Sequence, residues 1–434
     1  MDKMADVLGR AGAWCGQNKY LSAIKNAFQN FMPLTIAGAI GVLWCNVLVN
    51  DQTGLGMFFK PVMALDFLNP AFQAVNFCTI SCITVGITLG IAQEIGIWNM
   101  GAEKAGYIPG LVGLAAWLSV TNTSHMVEGA KEAFTGIAGN ELGATGLFTG
   151  MIIGVLSVEL FCFFEKQDAL KIKMPEQVPP GVARAFEVLV PATITLIITA
   201  CIGSACYNLT GLYLNDVIKN GIQGPLGAVG ATIPGVMIIY LVIMLFWLVG
   251  IHGNNMLSAV KEALFTPLAL ENVEAFNKHE TPKNIINMYF LQMCGEFGGS
   301  GVPIGLVIAI MIFGKREDNK AIATLSLVPG LFNINETVTF GIPMVLNPIL
   351  GIPFVFACLV TILVGYVLTV IGFCPVACLT VPWTTPPIVF GFLATGAQIM
   401  GAVTQAILIV ISTVIYTPFL ISYEKYQNKQ AAEA

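Results

Sequence analysis

Residues 321–423 carry one charged side chain, Glu336. Around it the chain reads Pro329-Gly-Leu-Phe-Asn-Ile-Asn-Glu336-Thr-Val-Thr-Phe-Gly-Ile-Pro343. In a bilayer a central carboxylate costs at least about 2.5–3.5 kcal/mol on insertion scales, so a chain that keeps one there has a use for it. The flanking Pro, Gly and Asn do not suit a continuous lipid-facing helix. Non-helical backbone survives at membrane depth only where protein buries it or where it lines a watery cavity. A carboxylate, two amides (Asn333 and Asn335) and an interrupted backbone in one string therefore describe a polar ligand site.

The rest of the chain agrees with a membrane setting. It is 56% hydrophobic and 10% charged, against about 25% charged in soluble domains. The formal net charge of −5 and three histidines leave no basic patch for nucleic acid. The N-terminus lacks a signal peptide with a cleavage site. Residues 1–30 mix Lys3, Arg10, Lys19 and Lys25 with apolar residues, as a helix lying on the membrane surface would. The eleven cysteines are scattered. Cys78/Cys82 and Cys374/Cys378 lack zinc spacing, so they read as small apolar packing residues, and no metal or cofactor is expected.

A spanning helix needs about 20 apolar residues. Six stretches qualify: Phe31–Val49, Ala71–Gln93, Gly106–Thr123, Leu142–Phe164, Val188–Tyr207 and Ala231–Gly250. Beyond them the pattern turns irregular. Gly253–Leu270 holds Lys261 and Glu262, and Ile285–Phe313 is too long for one crossing and contains Gly295-Glu-Phe-Gly-Gly-Ser-Gly301. Gly351–Phe373 and Leu393–Ile421 are apolar again. The expectation is an all-α polytopic membrane protein of about ten transmembrane helices, with re-entrant hairpins near Ile285–Gly301, Pro329–Leu350 and Cys374–Phe390. With both termini in the cytoplasm, inner regions hold fourteen Lys and Arg and outer regions five: Lys60, Lys131, Lys219, Lys278 and Lys283. That skew satisfies the positive-inside rule. The expected organisation is a surface helix at 1–30, a scaffold or dimerisation domain at 31–209, a linker at 210–230, a substrate-binding transport domain at 231–423, and a cytoplasmic tail at 424–434. Ligands of transporters sit at discontinuous helices, and every broken element lies in the second half.

Several side chains there have chemistry suited to a sugar. Glu336 would accept from a hydroxyl, act as a general base on it, or hold a proton; its structural alternative is to cap a helix end. His252 ends an apolar run and precedes Gly253, Asn254 and Asn255, which makes it a ligand contact or a satisfied core histidine. Glu296 lies beside Gly298, Gly299, Ser300 and Gly301, whose backbone N–H groups are candidates to meet ligand oxygens; Glu296 itself reads as a ligand contact or a structural ion pair. No strand precedes this glycine run, which argues against nucleotide binding. Trp247 and Trp383 flank the breaks, placed either to stack on a sugar face or to anchor at the interface. His125 and His279 fall in outer loops and carry no expected role.

Taken together, these strings resemble the membrane subunit, enzyme IIC (EIIC), of the bacterial sugar phosphotransferase system (PTS), in its lactose/cellobiose/diacetylchitobiose family. The resemblance is carried by Met32-Pro-Leu-Thr-Ile36, Met174-Pro-Glu-Gln-Val-Pro-Pro180, Gly250-Ile-His-Gly253, Thr266-Pro-Leu-Ala-Leu-Glu-Asn272, Gly298-Gly-Ser-Gly301, the Asn-Ile-Asn-Glu336 string, Phe340-Gly-Ile-Pro343, Leu346-Asn-Pro348 and Pro382-Trp-Thr384, in family order over nearly the whole chain. It implies a homodimer with a fixed N-terminal half and a mobile C-terminal half that carries the sugar inward by an elevator-like shift. It also implies a cytoplasmic phosphocysteine on a partner, EIIB, that phosphorylates the sugar, with EIIA, HPr and EI upstream. The family's motif glutamate falls on Glu336 and its His-Gly histidine on His252. Two positions depart from the pattern: Thr337 stands where Pro is common, and Glu296 where an apolar or aromatic residue is usual. No charged soluble region with an active cysteine is expected here, so transfer requires a separate EIIB.

The sequence thus points to a PTS transporter subunit for a β-linked disaccharide, in the bacterial cytoplasmic membrane. The rival is a proton-coupled sugar symporter, with Glu336, His252 and Glu296 as a relay. A membrane scaffold without substrate explains neither the lone carboxylate nor the glycine breaks.

Overall fold

The computed structural model describes residues 10, 14, 17–51, 55–125, 134–175, 177–342 and 344–433. The first nine residues of the expected surface helix, Lys131 of the charge-bias argument, and Glu176 and Pro343 of the family strings lie outside them. Among the described residues the chain is helical except for a two-residue antiparallel pair, Ser124–His125 with Phe134–Thr135, which is the one departure from an all-α fold.

Among the described residues six helices are long and apolar enough to cross a membrane: Lys19–Leu48, Lys60–Met100, Ala144–Glu165, Pro180–Thr210, Gly351–Val370 and Ile399–Ala431. Three shorter apolar helices add to them, Ile108–Val120, Ile233–Leu248 and Ile304–Phe313. Two expected boundaries change. The helix Lys19–Leu43 is unbroken, so residues 19–30 open a long helix rather than closing a separate surface element. Lys19 is accommodated there because Glu159 pairs with it at 2.6 Å and Asn99 accepts from it at 3.3 Å. The expected continuous span Ala71–Gln93 is interrupted between Cys78 and Ile83. At that break the Thr79 hydroxyl donates to the Val75 carbonyl at 2.6 Å, a local bond that competes with the helical one.

The chain divides into two compact units. One comprises residues 17–38 and 74–227 and is built mainly of continuous helices, apart from the break at 78–83, around Trp117. Small residues let these helices approach closely: a Cβ on Gly113 would strike the Ala92 side chain. Its buried carboxylate, Glu165, receives Lys104 at 2.8 Å and Arg184 at 3.1 Å. The expected linker at 210–230 is helical and mostly belongs to this unit, with Asn215 and Ile218 buried. The other unit comprises residues 39–73 and 228–434. Residues 39–73 thus join the second half of the chain, where the sequence reading put them in the first. Within that unit Asn46 donates to Asn277 at 3.2 Å.

The expected breaks all fall in this second unit. Helix Met288–Gly295 stops at Glu296, and helix Ile304–Phe313 begins after a glycine loop. Helix Glu317–Leu331, with Pro329 in its last turn, is followed by residues 332–335 and then by the short helix Glu336–Gly341. Residues 374–388 are irregular and lead into Val389–Ala394.

Candidate sugar site in the broken-helix unit

Each break leaves backbone groups without helical partners, and in a dry interior these must be satisfied by side chains. Asn287 caps Met288–Gly295 by accepting from Tyr289 N–H at 2.9 Å and Phe290 N–H at 3.2 Å. Its amide donates to the Ala377 carbonyl at 3.0 Å, which Asn272 also reaches at 3.0 Å. Gln405 accepts from Ile388 N–H and Gly391 N–H, both at 2.7 Å, and donates to Met293 O at 3.1 Å. Ser412 and Tyr416 donate to the carbonyls of Val302 and Gly301, each at 2.8 Å. Long-range amides and hydroxyls thus replace the missing helical bonds.

The glycine loop needs its glycines for two reasons. Gly299 and Gly301 have φ of 98° and 82°, which disfavours other residues. A Cβ would also meet the Asn335 side chain at the first and the Phe354 ring at the second. The N–H groups expected to stand open to a ligand are in part engaged: Gly298 N–H donates to Asn333 Oδ1 at 2.6 Å, and Gly299 N–H to the Glu296 carbonyl at 2.9 Å. The loop must satisfy itself before it can serve anything else.

Asn333 is the clip of the site. With φ of 63° it occupies the left-handed region, which Asn tolerates better than most residues. Besides holding Gly298, its amide donates to the carbonyls of Trp383 and of Thr385, the latter at 3.0 Å. Asn335 is buried and donates to Ser300 O and Thr339 Oγ1, both at 3.1 Å. Ser300 is buried as well. Both asparagines therefore hold the three irregular segments together around Glu336.

Glu336 opens its short helix, and its side chain is 48% exposed. Its carboxylate lies 3.8 Å from His252 Nε2. His252 Nδ1 accepts the Asn255 N–H at 3.2 Å, which puts the imidazole proton on Nε2, facing Glu336. The imidazole packs on the Trp247 ring with centroids 4.4 Å apart. Trp247 is 2% exposed, and its indole N–H has no partner among the described residues. Neither does the buried Oδ1 of Asn254. Trp383 keeps 44% of its surface exposed.

Glu296 is paired. It accepts from the Tyr240 hydroxyl at 2.7 Å and forms an ion pair with Lys261 through the same oxygen, Oε1. Of its two sequence readings, the structure supplies the pair. Lys261 and Tyr240 were not expected at the site. The available signal was Lys261 itself, a cation in an otherwise apolar stretch that has to find a carboxylate.

The comparisons with known proteins fit this geometry. A family model for the phosphotransferase system EIIC matches residues 25–358. The chain belongs to the phosphotransferase system EIIC family. Among its curated relatives is the PTS oligo-beta-mannoside-specific EIIC component of Bacillus subtilis (strain 168), 33% identical over 98% of this chain and 94% of the relative. Another is the PTS cellobiose-specific EIIC component of Lactococcus lactis subsp. lactis (strain IL1403), 28% identical over 98% of each chain. The fold matches the crystal structure of the transporter ChbC, the IIC component from the N,N'-diacetylchitobiose-specific phosphotransferase system, with a TM-score of 0.88, 29% identity and 97% coverage of both chains. This EIIC is accordingly a multi-pass membrane protein of PTS sugar transport.

Proposed function

We propose that this EIIC binds a β-linked disaccharide in the second unit, translocates it, and presents it to phosphorylated EIIB. The observation that carries the reading is the half-exposed Glu336 carboxylate 3.8 Å from His252 Nε2. That gap is too long for a direct hydrogen bond, and a hydroxyl lying beside the pair rather than between its atoms can donate to the carboxylate and accept from Nε2–H. The hydroxyl oxygen would attack the phosphorus of the EIIB phosphocysteine. The S–P bond breaks, the thiolate leaves, and the hydroxyl proton passes to Glu336 as general base. The Trp383 face and the unpartnered Trp247 N–H and Asn254 Oδ1 would complete recognition, by stacking and by hydrogen bonds to sugar oxygens. Asn333, Asn335, Gly298, Gly299 and Ser300 shape the site from behind. The relatives specific for oligo-β-mannoside, cellobiose and diacetylchitobiose support the substrate class.

We further propose a homodimer of about ten-span subunits with cytoplasmic termini, an elevator-like movement of the second unit against the first, and EIIA, HPr and EI upstream of EIIB. The deciding experiment uses the purified protein in vesicles with phosphorylated EIIB and a panel of cellobiose, lactose and diacetylchitobiose. Sugar phosphate should appear with wild type. Glu336→Gln should lower that rate by about 10²–10⁴ while the sugar still binds measurably. Accumulation of unmodified sugar driven by a proton gradient, or near wild-type transfer by the variant, would overturn the reading.

A further inference from the structure

We infer that Tyr240, Lys261 and Glu296 form a positioning cluster that sets His252 in register with Glu336; the inference rests on the sugar site proposed above. Tyr240 lies on helix Ile233–Leu248, upstream of Trp247 and His252. Lys261 lies in the first turn of helix Ser258–Asn277, downstream of His252. Both converge on one oxygen of Glu296, and the Lys261 ammonium also sits 5.5 Å from the Tyr240 ring centre. The segment 240–261 is thereby closed across its base, with the His252 turn between its ends.

From Glu296 the connection continues along the glycine loop. The Glu296 carbonyl accepts Gly299 N–H, Gly298 N–H is held by Asn333, and Ser300 O is held by Asn335. Asn335 is the residue before Glu336. One arm of the site therefore hangs from Tyr240 and Lys261, the other from Asn333 and Asn335, and the loop at 296–300 joins them. The Glu336–His252 separation is the span left by that closed path.

The chemistry favours positioning over stability. Tyr240 is fully buried and Lys261 nearly so. Charges in such a place have a large desolvation cost, and apolar groups of similar size often stabilise as well or better. Two donors on one carboxylate oxygen instead fix that oxygen, and the loop bearing it, with a precision that apolar packing lacks. Catalysis of phosphoryl transfer depends on such alignment of the attacking hydroxyl.

The test compares Tyr240→Phe, the double variant Lys261→Met/Glu296→Gln, and Glu336→Gln in vesicles. The probe is whichever of cellobiose, lactose and diacetylchitobiose the wild type phosphorylates fastest. The double variant removes both charges together, so it should stay folded. Its kcat should fall about tenfold or more, with sugar affinity changed less than about threefold, because alignment matters most in the transition state. Tyr240→Phe keeps the ring and both charges. It should move kcat the same way by about threefold to tenfold, the scale of one hydrogen bond's net contribution; it carries the test should the double variant not fold. Wild-type kcat in either folded variant would overturn the cluster's role. Full activity of the double variant beside an inactive Glu336→Gln would sink the cluster alone, whereas an active Glu336→Gln would sink the site reading itself.

Discussion

The two units meet the same apolar demand in opposite ways. In the unit of residues 17–38 and 74–227, long helices such as Pro180–Thr210 satisfy their own backbone, and the buried Glu165 is neutralised by Lys104 and Arg184. In the unit of residues 39–73 and 228–434, helices stop at Gly295 and Leu331, and amides from Asn272, Asn287, Asn333, Asn335 and Gln405 bond the backbone instead. Its Glu336 stays half exposed opposite a histidine. Continuous helices need nothing further from their side chains. Broken ones need polar side chains to exist, and the proposed sugar site lies among those side chains.

Four perturbations would break or sharpen that contrast. The largest effect is expected from Glu165→Gln, which leaves Arg184 and Lys104 short of a buried partner. Arg184 keeps Glu187 at 2.8 Å and Lys104 is partly exposed, so the cost should sit at the low end for a broken buried pair, about 3 kcal/mol in a thermal or denaturant melt, with sugar phosphorylation per folded molecule unchanged. Lost phosphorylation without lost stability would move function into the continuous unit.

Asn333→Ala comes next. It removes the bonds to Gly298 N–H, Trp383 O and Thr385 O and places Ala at positive φ. Stability should drop by about 2 kcal/mol together with sugar affinity. An unchanged melt with affinity lost would make Asn333 a direct sugar contact rather than a clip.

Trp383→Ala should weaken sugar binding by about 1 kcal/mol, the scale of one aromatic contact, and leave the melt in place. A binding titration that shows no change would demote this ring to an interface anchor.

The smallest effect concerns acid. Arg316 holds the Asp318 carboxyl below its usual range, chiefly through a hydrogen bond, with the Asn319 N–H and the guanidinium charge adding to it against desolvation. A folded-state pKa depressed in this way contributes stability that is present above the ordinary aspartate value and lost as pH falls through the folded one. The pair is part-exposed, so Asp318→Asn should cost under about 1 kcal/mol at neutral pH and less at pH 2. A variant equally destabilised at both pH values would show that the pair acts through packing, not charge.

Much of this was legible along the chain. The apolar runs, the glycine and proline interruptions, Glu336 as the lone charge of residues 321–423, and the Asn-Ile-Asn-Glu string all lie in contiguous sequence. The start of helix Lys19–Leu43 was not, because Lys19 is held there by Glu159 and Asn99, far along the chain. Nor was the joining of residues 39–73 to the second half. Glu296 shows the division most clearly. Its carboxylate, read alone in a glycine loop, suits a ligand as well as a lysine.

The sequence by itself determined that the chain is a helical membrane protein, where the helices of its second half break, and which carboxylate stands alone, because hydropathy, glycine and proline act locally. Only the tertiary structure decided which polar groups are consumed and which are left over. Glu296 meets Lys261 across 35 residues and Tyr240 across 56, and Asn333 reaches Gly298 across 35 and Thr385 across 52. In an interior where every donor and acceptor must find a partner, a side chain's role is set by what reaches it in space, and that is fixed by packing rather than by its neighbours in sequence.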